Sequence, residues 1–432
     1  MKDVNIITSL DDDGVLLASI DMPGRSMNVF SASMMDSLEA LLDFVESNAA
    51  VNAVVLTSGK QAFLAGADLE MIRQYTEAAR TDSAVQLHQL CGHLGRLFRR
   101  LEKSRKPYVA AINGLALGGG LELSMACHVR VAADDDAVQL GLPEVKLGLL
   151  PGAGGTQRLP RLIGAQAGLR MLLLGSSVDA RRALELKLVD HLVDRTQLIA
   201  TAKDIARNAS LSPPQAPWDK PGSTFSEAPY DFAQAKVFTT ILQAVGVSAQ
   251  QRARYPAYEA ILSCVIGGWT RSFDEAFRWE MDCFVKLIQD RVAGNMVRAL
   301  FLNRQKAQKL GLLGPESEFG RGAGALLPRL RSAAREAREL AVSDDDLLLA
   351  VALAAISVWS SGSIAEPELA DAAVVAEGLH PAYTGGPLNY ALQCGAGELR
   401  TRAIAAQTHS AGLFALPSGF DEFFATAQLA AA

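Results

Sequence analysis

Cysteine is scarce and never paired in this sequence. Cys91, Cys127, Cys264, Cys283 and Cys394 are scattered and form no Cys-x-x-Cys motif. That excludes a zinc ribbon and a disulfide framework, and it reads as reduced thiols in a cytoplasmic protein. Positive charge is also short: 41 Lys and Arg stand against 47 Asp and Glu, a formal net charge of −6. A net acidic chain is a poor partner for nucleic acid or an anionic membrane surface, so an anionic ligand must be held by local Arg or Lys. No apolar run is long enough to span a membrane, and Leu347 to Val358 reads as a short buried helix. The opening residues, MKDVNIITSLDDDG, have no apolar core of the signal-peptide kind. The expectation is a soluble, cytoplasmic protein with no metal site.

What is present is a chain of 432 residues, 49% of them hydrophobic, enough for real cores in two or three domains. Asn5 to Leu10 and Val15 to Asp21 read as strands joined by the turn Asp11-Asp12-Asp13-Gly14. Ser31 to Ser47 has helical spacing, with Met34, Met35, Leu38, Leu41, Leu42 and Val45 on one side. Val51 to Thr57 is a buried strand, 83–104 one helix stopped by Lys106-Pro107, and His128 to Ala133 another strand. Strands alternating with helices over short connections predict an α/β layer fold.

The chain is organised around Pro107 to Pro160. An apolar run, Tyr108 to Ile112, predicts a buried strand; Asn113-Gly114 is a turn signal; Gly118-Gly119-Gly120 then opens a helix from Leu121. Glycines at a helix start leave backbone N–H groups bare, with the helix dipole behind them. Glu122 sits on that first turn, and Glu144 follows a Gly-Leu-Pro bend. The residues from Leu147 to Gly155 form an apolar Gly/Pro-rich cover. Bare donors beside two Glu residues in apolar surroundings suggest an oxyanion hole with an acid/base pair. Taken singly, Glu122 could be only a helix-start carboxylate, and Glu144 only a surface residue.

Three motifs in order, AFLAGADLEMI (62–72), ALGGGLELSMACHVRVA (116–132) and GLPEVKLGLLPGAGGTQRLPRLIG (141–164), resemble the enoyl-CoA hydratase/isomerase, or crotonase, family. The resemblance is greatest to the hydratase half of the multifunctional α-subunits of fatty-acid β-oxidation. It implies an α/β fold, a crotonase-like ββα spiral, followed by an all-helical C-terminal region. It gives Glu122 the task of orienting and deprotonating a water, and protonated Glu144 that of delivering a proton to the substrate's α-carbon. It assigns the oxyanion hole to the N–H groups of Ala67 and Gly119. Arg25, Ala65, Asp68 and Leu69 fall where the family binds CoA, although Arg25 could equally be a solvated Arg and Asp68 a helix N-cap. The Glu residues are 22 positions apart, two more than the family leads one to expect. Asp134-Asp135-Asp136 is read as a turn that takes up the excess. Thr156 and Gln157 are read as shaping the acyl pocket, Arg158 and Arg161 as structural or as subunit contacts, and His128 as a satisfied core or turn residue.

The resemblance divides the chain into a hydratase domain (1–200), a Pro-rich linker with a long connecting helix (201–314), and a helical remnant of a 3-hydroxyacyl-CoA dehydrogenase C-terminal domain (315–432). Ser272 to Leu310 is the strongly helical connector. Beyond it the multifunctional α-subunits continue into a dinucleotide fold, whereas here Gly320, Gly322 and Gly324 follow no apolar strand. The dehydrogenase His–Glu pair has no counterpart either, since His380 and His409 stand in the wrong context. NAD is therefore not expected, nor any other cofactor, the CoA thioester being the substrate. The leading expectation is a 2-enoyl-CoA hydratase. Δ3-Δ2 isomerisation, or an accessory role docking a thiolase or dehydrogenase, stays open, as does the order of an expected homo-oligomer.

Overall fold

The computed structural model describes residues 4–211, 215–220, 234, 236–322 and 324–431. They form two compact units, the first ending at Gln289 and the second beginning at Asp290.

In the first unit the strands β1 (Ile6–Leu10) and β2 (Val15–Ile20) make the expected antiparallel hairpin. Helix α1 (Ala32–Ser47) starts where the Ser31 side chain accepts from the Met34 N–H, and it buries the six apolar residues named from spacing. Next come β3 (Ala53–Ser58), α2 (Leu69–Ala78), α3 (Ala84–Cys91) and α4 (His93–Glu102). The helix expected over 83–104 is thus two helices. They part at Gly92, whose missing side chain leaves room for the His88 carbonyl and the Arg96 guanidinium.

The organising stretch follows as β4 (Tyr108–Ile112), β5 (Ala116–Leu117), α5 (Gly119–Ala126), β6 (Val129–Ala133) and β7 (Gln139–Gly141). A single 3-10 turn, Glu144–Leu147, leads to α6 (Gly155–Ile163) and α7 (Ala165–Leu174). Then come β8 (Ser177–Asp179), α8 (Ala180–Glu185), β9 (His191–Val193) and α9 (Leu198–Leu211). Among the described residues, four more helices follow in this unit: α10 (Val237–Ala244), α11 (Ala249–Arg254), α12 (Ala257–Gly268) and α13 (Phe273–Gln289).

The large sheet has the order β1-β2-β3-β4-β6-β9 and is parallel apart from β1; the small one has the order β5-β7-β8. Successive passes of the chain lay one strand in the large sheet, a short strand or bridge in the small one, and then a helix. β3, the Leu64 bridge and α2 make one pass; β4, β5 and α5 make the next; β6, β7 and the Glu144 turn make the third. This is the ββα spiral. Asp134 to Ala137 is a bend and turn between β6 and β7, where the extra residues were expected to lie.

Of the Pro-rich stretch 211–223, residues 212–214 and 221–223 lie outside the described residues. Compactness divides the chain at Gln289 rather than at 200 and 314. The reason is packing: α12 lies on α6 and α7, and α13 on α3, α6 and α12. The strongly helical connector is broken as well. Asp290 ends α13 and caps a new helix, its side chain accepting from the Val292 N–H.

A buried charge cluster ties α13 and the short turn Pro217–Asp219 to the spiral. Arg158, wholly buried, binds the equally buried Glu102 at 2.8 Å, and Arg99 binds Glu102, Asp219 and Asp274 at 2.6–2.7 Å. Both guanidinium groups also face the Phe273 ring.

The second unit is helical among its described residues: α14 (Arg291–Val297), α15 (Asn303–Lys309), α16 (Leu326–Glu339), α17 (Asp344–Ser360), α18 (Pro367–Ala376), α19 (Pro387–Cys394), α20 (Ala396–Ala406) and α21 (Phe420–Ala431). Helix α17, buried nearly all round, is the centre of its apolar core. Gly320, Gly322 and Gly324 lie ahead of a helix, α16. His380 is buried with Nδ1 2.7 Å from Thr384 Oγ1.

Breaking a buried ion pair on one side leaves an uncompensated charge. Arg158→Ala is expected to lower the unfolding free energy by roughly 3–5 kcal/mol. Arg73→Ala, which removes the surface pairs with Glu70 and Glu77, is expected to cost under about 1 kcal/mol. Urea unfolding of both variants checks this, and equal losses would contradict it.

Candidate active site

The spiral brings equivalent points of successive passes together. Leu64 pairs with Ala116, which pairs in turn with Leu140. Ala67 and Gly119 each lie three residues beyond the first of these pairings, and Glu144 lies four beyond Leu140. One end of the small sheet thus collects both expected oxyanion donors and one expected acid.

The donors are free for local reasons. A parallel bridge joins Phe30 to Ala67 through the Gly66 carbonyl and the Asp68 N–H (2.8 and 2.9 Å), leaving the N–H of Ala67 itself out of the pairing. Gly119 opens α5, where the first N–H groups have no partner within the helix. Gly118 has φ +52°, and a Cβ there would stand 2.7 Å from Glu144 Oε1. At that position only glycine allows both the backbone turn and the approach of the carboxyl group.

Ala65, Ala67, Leu69, Gly119, Glu122 and Glu144 line one cavity of about 120 Å³. Its other walls are mostly apolar and include Met71, Ile72, Tyr75, Leu94, Leu150 and Phe284. Arg25 and Asp68 are placed differently. They form an ion pair with each other at 2.7 Å, and Asp68 also caps α2 by accepting from the Glu70 N–H. Thr156 and Gln157 are turned away to the helices behind: Gln157 donates to the Cys264 carbonyl of α12, and Thr156 to Glu280 of α13. His128 accepts at Nδ1 from the Tyr108 N–H at 3.0 Å, but its buried Nε2 has no hydrogen-bond partner, so the expected satisfied residue is only half satisfied.

The two carboxyl groups sit in unlike environments. Glu122, 3% exposed, accepts at Oε1 from the N–H groups of Ala153 and Gly155, both at 2.8 Å. Burial raises its pKa to about 7, against the lowering effect of those two bonds and of Arg158. Glu144 has a buried Oε2 with no hydrogen-bond partner. Burial, then the charge of Glu122 and, more weakly, that of Glu280, hold its pKa well above the usual carboxylate range. Glu122 is thus anchored by two N–H groups, while the surroundings of Glu144 favour its protonated form. Unlike pKa values on adjacent carboxyls separate a base from an acid.

A family description for enoyl-CoA hydratase/isomerase matches residues 12–217. Residues 12–217 belong to that family. The match covers the spiral from β2 onward and contains all eight expected site residues. Among curated proteins, the chain is 37% identical over 319 residues to a fatty acid oxidation complex subunit alpha from Idiomarina loihiensis, covering 73% of this chain and 43% of that one. A subunit of the same name from Shewanella baltica is 35% identical over 304 residues, covering 70% and 42%. This chain therefore spans less than half the length of those relatives. An enoyl-CoA hydratase structure from Bacillus anthracis overlaps 71% of this chain and 96% of its own, at 28% identity and a TM-score of 0.42.

Two residues near the cavity went unnoticed in the sequence, Glu280 and Phe284 of α13. Phe284 lines the cavity, and a Cβ on Gly152 would stand 2.8 Å from its ring. Glu280 is wholly buried. A signal was available: Phe273, Ala276, Glu280, Phe284 and Leu287 recur at steps of three and four, placing a Glu in the apolar stripe of a helix.

Because Glu122 has a folded pKa near 7, above its ordinary 4.5, it favours the folded state fully below pH 4.5. That contribution is lost as pH rises through about 7. Glu122→Gln is expected to show a shallower fall in urea midpoint from pH 4.5 to pH 7 than the wild type. Parallel curves would count against the raised pKa.

Proposed function

We propose that this chain adds water across the C2–C3 double bond of trans-2-enoyl-CoA thioesters, in fatty-acid β-oxidation or related acyl-CoA metabolism. The observation that carries this reading is the pair of unlike carboxyl groups, one anchored and one without a partner, facing one apolar cavity beside two backbone donors. The names of the relatives support the metabolic setting.

In this scheme the thioester oxygen lies between the N–H groups of Ala67 and Gly119, which stabilise the negative charge that grows on it. Glu122 takes a proton from water, whose oxygen bonds to C3. Glu144 gives its proton to C2 from the unpartnered side of its carboxyl group. The sum is redox-neutral, so it needs no NAD and no metal. Apolar walls fit an acyl chain. Arg25 is left for the CoA phosphates, which would compete with Asp68 for it.

Isomerisation is the second reading, and one observation favours it. The partner-free Oε2 of Glu144 could by itself carry a proton from C2 to C4 of a 3-enoyl thioester, with Glu122 left bound to its two N–H groups. The relatives are subunits of a complex, so assembly with a thiolase or dehydrogenase, or with further copies of this chain, belongs to the proposal as well.

The test follows the loss of enoyl-thioester absorbance with crotonyl-CoA and a long-chain 2-enoyl-CoA. Rapid loss is expected, with Glu144→Gln slower by about two to four orders of magnitude. No loss with either chain length would sink hydration. Conversion of a 3-enoyl-CoA without hydration would install the isomerase in its place.

A further inference from the structure

The start of α6 is buried, and its backbone donors are shared between two carboxylates in strict alternation. Glu122 of α5 takes the N–H groups of Ala153 and Gly155. Glu280 of α13 takes those of Gly154 at 2.6 Å and Thr156 at 3.0 Å, together with the Thr156 hydroxyl. Four consecutive donors are thereby fixed from two sides. The loop that holds Glu122 can shift only if Glu280 lets go of it.

The geometry points to Glu280 as a positioning residue of the hydratase/isomerase site: from outside the spiral, it locks the 153–156 turn that aims Glu122 and sets the charge that Glu144 faces. This rests on the hydration reading for its kinetic consequences only. The groups facing Glu280 are Glu122 of α5, Glu144 of the 3-10 turn, Arg158 and Arg161 of α6 and the Cys264 thiol of α12. Cys283 lies on its own helix. Burial first, then the charge of Glu122, raise the Glu280 pKa to about 8, while Thr156, Gly154 and Arg158 lower it. Its charge thus changes in the range where the enzyme would work, and its anionic form helps to keep the proton on Glu144.

Glu280→Gln keeps one acceptor oxygen and the side-chain volume but removes the charge. Expected is a fall in kcat of about tenfold to a hundredfold, with KM for crotonyl-CoA nearly unchanged. The alkaline limb of the pH–rate profile should also move to lower pH, because Glu144 without a neighbouring anion loses its proton sooner. Thr156→Val withdraws the hydroxyl that donates to Glu280 and accepts from Gln157 Nε2; it makes Glu280 harder to ionise, so it should move the same limb in the same direction by less. That second variant decides the matter if Glu280→Gln does not fold.

A readout independent of turnover is the infrared band of protonated carboxyl groups, followed against pH in wild type, Glu280→Gln and Glu144→Gln. The band lost in Glu144→Gln should titrate at lower pH in Glu280→Gln than in wild type. Unchanged profiles and an unchanged band in the variants that fold would overturn the assignment. A lower kcat with an unmoved alkaline limb and band would reduce Glu280 to scaffold and overturn it as well. If the wild type hydrates neither thioester, the hydration reading falls, while the infrared titration still decides for or against Glu280.

Discussion

A helix that begins inside a protein has N–H groups that no turn of its own can satisfy, and water cannot reach them. At the start of α6 those groups belong to Ala153, Gly154, Gly155 and Thr156, and carboxylates answer all four. The arrangement serves both sides. The donors are satisfied, and two acids that would otherwise be too costly to bury gain a reason to be there. Glycine at 154 and 155 is part of the same constraint. A Cβ on Gly155 would stand 2.6 Å from Pro151 and 2.8 Å from Glu122 Oε1, so the carboxylate lies directly against backbone.

From this follows a division of charge within the first unit. Arg158 extends from α6 to Glu102, and Arg99 joins Glu102 to Asp219 and Asp274, making a paired network away from the cavity. On the cavity side there are carboxyl groups and bare N–H donors. Positive potential at the cavity comes from backbone dipoles, and the cations Arg99 and Arg158 stay behind it, paired. That separation keeps the Glu144 carboxyl protonated more readily, because a free guanidinium beside it would favour its anion.

Much of this was legible from residue order. The six buried positions of α1, the strand at Tyr108–Ile112, the helix opened by three glycines and the meeting of Glu122, Glu144, Ala67 and Gly119 all follow from local pattern and motif. Pattern reading failed where a single residue interrupts a helical run, and where a distant element decides. The break at Gly92 depends on what packs into the space of the missing Cβ, and the stop after Gln289 depends on a single capping Asp in an otherwise helical run. Thr156 and Gln157 sit in a cavity-side motif yet turn to α12 and α13, which reach them from more than a hundred residues away. Arg25 and Asp68 neutralise each other, a pairing that neither position advertises in the chain.

That long reach of α13 has a bearing on synthesis. The family match ends at residue 217, but the compact unit that contains it runs to Gln289. As the chain leaves the ribosome N-terminus first, the spiral is complete in sequence well before Glu280 and Phe284 emerge. For that interval the N–H groups of Gly154 and Thr156, and the faces of Arg99 and Arg158 that meet Phe273, have no side chain from α13 to cover them. The nascent spiral therefore has unsatisfied polar groups beside apolar surface at the wall of its cavity until α13 arrives. A fragment cut at the edge of the family match would keep that exposure for good.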